Sequence, residues 1–281
     1  MTIKTINHSG WLKSLLFIPL LFISEVLSTV IVISLGYDIF NQGSSLNESV
    51  MLIQKSFSLV IVLILIWLFM KYIDKQKFID IGFQTKNRLK DFNYGILIGF
   101  IIMCSAYYIL LFIGEINYVG YSFNLENIFI SIMLFTGVSI FEEVVFRGYV
   151  LKNLLESFNP FVALFISSIF FSLIHGANPN VTILGLSNIF LAGFFLGVSY
   201  VFTKNLWFPI ALHFSWNFFQ SMFGFKVSGL DSYSIIEFKI LENNYINGGE
   251  FGFESSIISL VIISISTILI WKYFKSIEKT S

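Results

Sequence analysis

Two adjacent glutamates, Glu142 and Glu143, stand inside a hydrophobic stretch, and Arg147 follows four residues after the second. A charged side chain at membrane depth is costly unless it is paired or hydrated, so such residues are functional candidates by default. Two of the three histidines, His175 and His213, also lie in hydrophobic stretches. A carboxylate and imidazoles in a dry setting have the chemistry that activates a water molecule.

The spacing of the charged residues divides their tasks. Neighbours on a helix point about 100° apart, so Glu142 and Glu143 cannot share one task. Glu143 and Arg147 lie at positions i and i+4, on one helix face, and are predicted to form a salt bridge. Glu142 is then the free carboxylate. The alternative is a helix end near the membrane surface, from which both glutamates reach water.

The histidines carry less information one by one. His175 ends an apolar run, and a lone histidine at such a place is more often interfacial or capping than catalytic. His213 and Asn217 lie at i and i+4, so they share a helix face and could together donate hydrogen bonds to an oxyanion. The alternative for Asn217 is a polar seam between packed helices.

The composition places the chain in a bilayer. Of 281 residues, 56% are hydrophobic and only 12% are charged, whereas soluble domains carry about 25% charged residues. The formal net charge is zero and no basic patch indicates nucleic acid as a partner. One cysteine, Cys104, excludes a disulfide framework and a cysteine zinc site. We predict an all-α, polytopic membrane protein in which residues 1–281 form a single membrane domain.

Eight apolar stretches approach the roughly 20 residues that a membrane-spanning helix needs. They are residues 12–36, 56–73, 93–114, 127–150, 161–175, 183–202, 206–224 and 255–271. The first follows Lys4 and Lys13, but no small-residue cleavage site comes after it, so we interpret it as an uncleaved span.

The positive residues predict the topology, because positively charged loops stay on the cytoplasmic side. They cluster in the 71–91 segment, at 147–152, at Lys204 and in the C-terminal tail (Lys272, Lys275 and Lys279), whereas the 115–126 and 176–182 loops have none. Eight spans with both termini in the cytoplasm, most simply of a bacterial cytoplasmic membrane, put these segments on one side. The 74–91 region is predicted to lie along the inner surface, or to be a solvated loop.

Helix rise gives a depth for each candidate residue. With helix boundaries at Val150, Phe161 and Asn205, Glu142 and His213 lie about 12 Å from the inner boundary, and His175 lies about 20 Å from it. The three side chains are therefore not expected to meet unless the fifth helix tilts or begins late.

Taken together, the three motifs resemble those of the CPBP family. They are Glu142-Glu143-x-x-x-Arg147, Phe171-x-x-x-His175 and His213-x-x-x-Asn217, within residues 125–220. That family contains CAAX-type prenyl endopeptidases and bacterial Abi proteins linked to bacteriocin maturation and self-immunity. The resemblance implies an intramembrane endopeptidase with a peptide or protein substrate. It also implies that Glu142 is the general base, that His175 positions the water, and that His213 and Asn217 stabilise the oxyanion.

The resemblance leaves the cofactor open. The family has been described both as metal-dependent and as metal-free, so the implied cofactor is none or a single divalent metal such as zinc. Glu142, His175 and His213 are the candidate ligands. The sequence has no H-E-x-x-H helix, and we favour metal-free chemistry.

The expected function is hydrolysis of a peptide bond near the cytoplasmic face, with Glu143 and Arg147 supporting the site. The alternative is a non-catalytic membrane protein, for immunity or peptide binding, that uses the same fold. A transporter is less favoured, because the sequence shows no internal symmetry.

Overall fold

The computed structural model describes residues 9–37 and 48–278, so Lys4 and Lys279, which contribute to the predicted topology, lie outside the described residues. Seven helices within these ranges are long and apolar enough to cross a membrane. This confirms the all-α, polytopic fold.

The helices follow one another with short connections. Their bounds are α1 Gly10–Ser34, α2 Glu48–Leu68, α3 Leu89–Phe112, α4 Leu125–Glu143, α5 Lys152–Ser157, α6 Pro160–Ile174, α7 Ile183–Thr203, α8 Trp207–Met222 and α9 Ile257–Glu278. The π-helical segment Phe69–Asp74 extends α2, and a second one, Val144–Leu151, joins α4 to α5. Short 3₁₀ turns occupy Phe78–Ile81, His175–Ala177, Gly249–Phe251 and Phe253–Ser255.

The eighth predicted span, residues 206–224, corresponds to α8, which has only 16 residues. It packs along α3 at two glycines that let the backbones approach closely. A Cβ atom on Gly95 would lie 2.7 Å from the Phe208 carbonyl oxygen, and one on Gly99 would lie 2.6 Å from Ser215 Oγ. This contact fixes the helix that carries His213 and Asn217.

The predicted end of the fourth span at residue 150 is wrong. The helix continues from Leu125 to Ser157, 33 residues in all, and Arg147 lies buried inside it rather than in a loop. Glu142 lies fifteen residues before Ser157, and His175 lies fifteen residues after Pro160. Each is therefore about 22 Å along its helix from the same end of the bundle, which removes the expected difference in depth.

One end of the bundle, which we call the basic end, is closed by short side-chain bridges. Lys13 Nζ lies 2.5 Å from Asp74 Oδ1, and Asn205 Nδ2 donates to the Gln84 carbonyl oxygen at 2.7 Å. The 71–91 segment belongs to this end. Its Ile81 is fully buried, so this part of the segment packs against the bundle rather than forming a solvated loop.

The opposite end, which we call the loop end, carries a feature that the sequence did not predict. Strand β1, Ile116–Tyr121, pairs antiparallel with β2, Ile236–Ile240, with an irregularity between Tyr118 and Gly120. The long 223–256 segment covers this end. It is tied down by Glu115, whose Oε2 accepts hydrogen bonds from the side-chain amides of Asn244 and Asn247 at 2.8 Å each.

Candidate active site

A cavity of about 300 Å³ lies within the helices. Its walls come from α1, α2, α4, α6, α7 and α8, and from the 223–256 segment. Glu142, His175, His213 and Asn217 all line it. The structure therefore brings the four predicted catalytic side chains, from three different helices, to one cavity.

Glu142 is at the centre of this group. Its Oε2 atom lies 3.8 Å from His175 Nε2 and 3.8 Å from His213 Nε2. The same oxygen is buried and has no hydrogen-bond partner among the described residues. A separation of 3.8 Å is too long for a direct hydrogen bond but suits groups that a water molecule bridges.

Both imidazole rings are held by their other nitrogen. His175 Nδ1 lies 2.7 Å from the Phe171 carbonyl oxygen, and His213 Nδ1 lies 2.8 Å from Glu143 Oε1. A carbonyl or ionised carboxylate oxygen only accepts hydrogen bonds, so Nδ1 is the donor in each ring. This fixes the rings with Nε2 directed at Glu142.

Glu143 and Arg147 form the ion pair that their spacing predicts, with 2.9 Å between Arg147 Nη1 and Glu143 Oε1. Both side chains are almost completely buried, which excludes a water-exposed helix end. Arg147 Nη2 also donates to the Gly193 carbonyl oxygen at 3.2 Å, and its guanidinium lies 4.4 Å from the Phe171 ring centroid. The contact between Glu143 and His213 was not foreseen, because no local pattern links residues 70 positions apart.

The helix that carries the ion pair changes its winding there. The π-helical segment Val144–Leu151 begins directly after Glu143 and includes Arg147. Such segments often occur at functional sites, because the wider turn redirects side chains. Small residues on α7 make room: a Cβ atom on Gly193 would lie 2.6 Å from Ser168 Cβ, and one on Gly197 would lie 2.5 Å from Leu164 Cδ1.

Asn217 lies one turn after His213 on α8 and is 5% exposed. Its amide makes no hydrogen bond to any described residue, although buried amides are normally satisfied. It is therefore free to donate into the cavity.

The structure adds a carboxylate that the motifs do not contain. Glu254, in the 223–256 segment, lines the cavity and is 9% exposed. Its Oε2 accepts from the Ser228 amide at 2.6 Å and from Ser228 Oγ at 3.0 Å. Burial raises the pKa of the Glu254 carboxyl, while the bonds from Ser228 act in the opposite direction.

The predicted zinc ligands do not fit a shared ion as they are placed. Ligand atoms lie about 2.0–2.1 Å from zinc, and hence roughly 3.4 Å from each other in a tetrahedron. Glu142 Oε2 is 3.8 Å from each histidine Nε2. Within residues 9–37 and 48–278, no three His, Cys, Asp or Glu side chains are arranged to hold a metal ion.

The cavity extends towards the loop end. Asn178, Ser228 and the half-exposed Asp231 form its rim. The beginning of α1 lies at the other end, since the Trp11 amide donates to Ser157 Oγ. Cytoplasmic termini and cleavage near the cytoplasmic face, both predicted above, are therefore not compatible with each other.

The comparison with protein families agrees with the motifs. A family model described as Rce1-like, type II CAAX prenyl endopeptidase, matches residues 124–219, a range that contains all three motifs. No match was found among curated proteins or among solved structures. The family match confirms the resemblance inferred from the motifs: over residues 124–219, this chain is similar to the Rce1-like CAAX prenyl endopeptidases, a family of proteases.

Proposed function

We propose that the protein is an intramembrane endopeptidase in which Glu142 activates a water molecule for attack on a peptide bond. One observation carries the proposal: two imidazole Nε2 atoms converge on a single buried carboxylate oxygen that has no protein partner. This is the arrangement expected of a general base whose partner is the attacking water.

The reaction follows from these positions. Glu142 takes a proton from the water while the water oxygen attacks the carbonyl carbon of the peptide bond. The carbon–nitrogen bond then breaks, and Glu142 returns the proton to the leaving amine nitrogen. His175, fixed through Nδ1, holds the water at its Nε2 side.

The oxyanion that forms in this step needs donors. Asn217 supplies its amide, and His213 supplies Nε2–H. Because His213 Nδ1 already donates to Glu143, this role requires the doubly protonated ring, whose charge Glu143 balances. Arg147 holds Glu143 in place and is thus a positioning residue. No step is assigned to a metal ion, because the candidate ligands do not fit one.

The same proposal includes the side of attack. Most lysine and arginine residues lie at the basic end, and the positive-inside rule places that end in the cytoplasm. The cavity then faces the outer side. We infer that the substrate is a peptide that reaches the site from outside, instead of from the cytoplasm.

The test is cleavage of a reporter peptide library by purified protein, with Glu142→Gln beside wild type. Glu126→Gln is the matched control, because it makes the same substitution at an exposed position of α4 outside the cavity. We expect cleavage by wild type and Glu126→Gln but not by Glu142→Gln, and no effect of a chelator. Cleavage by Glu142→Gln at the wild-type rate would refute the mechanism, and loss with chelator would establish a metal. Peptide binding without cleavage by any variant would favour the immunity or binding alternative.

A further inference from the structure

Glu254 is a buried carboxylate without a counter-charge. Its two hydrogen-bond donors, the amide and hydroxyl of Ser228, are neutral. Within the described residues, no lysine, arginine or histidine nitrogen comes within ion-pair distance of it, and Oε1 accepts no hydrogen bond. Buried carboxylates are nearly always paired, so this one lacks a partner that the chain itself does not provide.

The positive charges nearest to the cavity are already engaged. Arg147 is paired with Glu143, and Lys55 lies 3.0 Å from Glu25 Oε2. Glu142 and Glu254 therefore leave the interior of the cavity negative. In a site of low dielectric, such an excess attracts a cation more strongly than it would in water.

The position of Glu254 is fixed before any ligand arrives. Asn188 Nδ2 donates to the backbone carbonyl oxygens of both Glu254 and Ser256 at 2.8 Å, which anchors the 3₁₀ turn to α7. Ser228 holds the side chain from the other side. A rigid carboxylate loses little entropy when it binds a charged group, so it is well suited to recognition.

We propose that Glu254 is a specificity-determining residue that binds a positively charged group of the substrate peptide, a lysine or arginine side chain or the terminal ammonium. The inference rests on the proposed peptidase function and names its substrate class. Since Glu254 lies between Glu142 and the loop-end rim, this group belongs to the part of the peptide nearest the cavity mouth. The unpartnered amide of Asn217 in the same cavity shows that the site has further polar groups awaiting a ligand.

The experiment compares cleavage profiles of a synthetic peptide library that carries lysine, arginine or the uncharged norleucine at each position. Wild-type protein is expected to prefer a basic residue at one position by about 10-fold to 100-fold, as for a hydrogen-bonded charge. Glu254→Gln should lose this preference and still cleave norleucine peptides. Glu250→Gln is the matched control, because it makes the same change four residues earlier, at an exposed carboxylate that contacts Lys226. It should keep the preference.

Two additions make the result decisive. Glu254→Asp retains the charge and should retain a preference, which separates loss of charge from loss of folding. Capture of the same library by immobilised Glu142→Gln protein reports binding without cleavage, so failure of the peptidase mechanism does not hide the specificity. Absence of a basic preference in wild type, in both cleavage and capture, would overturn the proposal. An equal loss for all peptides in Glu254→Gln would also overturn it, because Glu254 would then act through His175.

Discussion

The two ends of the bundle differ in how they use polar residues. At the basic end, short bridges such as that between Lys13 and Asp74 tie helix ends together. At the loop end, polar side chains line a cavity and several remain unpartnered, Asn217 among them. The difference teaches that the charges which orient a membrane protein and those which do chemistry can be separated along the helices. Water then reaches the site through one half of the bundle while the other half stays packed.

The boundary between the two halves is the pair of Glu143 and Arg147. Neighbouring Phe146 and Tyr149 are fully buried, so the helix is tightly enclosed on the basic side of the pair. On the cavity side, Glu143 contacts His213. A buried ion pair contributes little net stability compared with apolar residues, but it is costly to break from one side. We interpret it as the element that fixes the floor of the site.

The comparison is broken most directly by the orientation of the protein. In a chain with Cys104 replaced by Ala, Leu241→Cys at the loop end and Leu89→Cys at the basic end are matched substitutions, at residues that are 77% and 71% exposed. We expect a membrane-impermeant maleimide to label Leu241→Cys in intact cells, and Leu89→Cys only after permeabilisation. The reverse pattern would place the cavity on the cytoplasmic side and restore the original expectation for cleavage.

The next largest effect is expected for Arg147→Ala, which leaves Glu143 buried and unpaired. The free energy of unfolding should fall by about 3–5 kcal/mol. Arg88→Ala removes a half-exposed arginine paired with Asp91 at the basic end and should cost at most about 1 kcal/mol. Thermal unfolding and folded yield after size exclusion measure both. Normal stability of Arg147→Ala with no activity would instead assign Arg147 to the chemistry.

The helices and the motifs could be predicted from the sequence, because membrane spans are long apolar runs and each motif lies within one helix. The end of the fourth span could not, because the helix continues past Lys152 into polar residues that hydropathy assigns to a loop. The β1–β2 pairing and the burial of Glu254 depend on contacts between distant segments. Ser228, which holds Glu254, lies 26 residues before it in an unmarked loop.

The direction of the cavity was equally hidden. A motif fixes which residues share a helix face, but not on which side of them the neighbouring helices separate. Here that depends on the 223–256 segment, which contributes Ser228, Asp231 and Glu254 to the cavity but carries no recognised motif. The expectation of cleavage near the cytoplasmic face therefore had no support from packing.

A third prediction concerns the cavity half alone. Asn217→Ala should lower kcat by a factor of about 10²–10³, as expected for loss of one oxyanion donor. KM should change little, because the donor acts on charge that develops only in the transition state. Stopped assays with a cleaved library peptide measure both constants. An unchanged kcat would mean that Asn217 serves helix packing.

The smallest effect is expected for the same substitution at the basic end. Asn205→Ala removes the hydrogen bond from Nδ2 to the Gln84 carbonyl oxygen and the one that Oδ1 accepts from the Trp207 amide. Each such bond contributes about 1 kcal/mol, so the free energy of unfolding should fall by roughly 1–2 kcal/mol. The kcat should stay at the wild-type value, because Asn205 does not reach the cavity. If Asn205→Ala slowed cleavage as much as Asn217→Ala does, the two halves would be coupled, and the separation between orientation and chemistry would not hold.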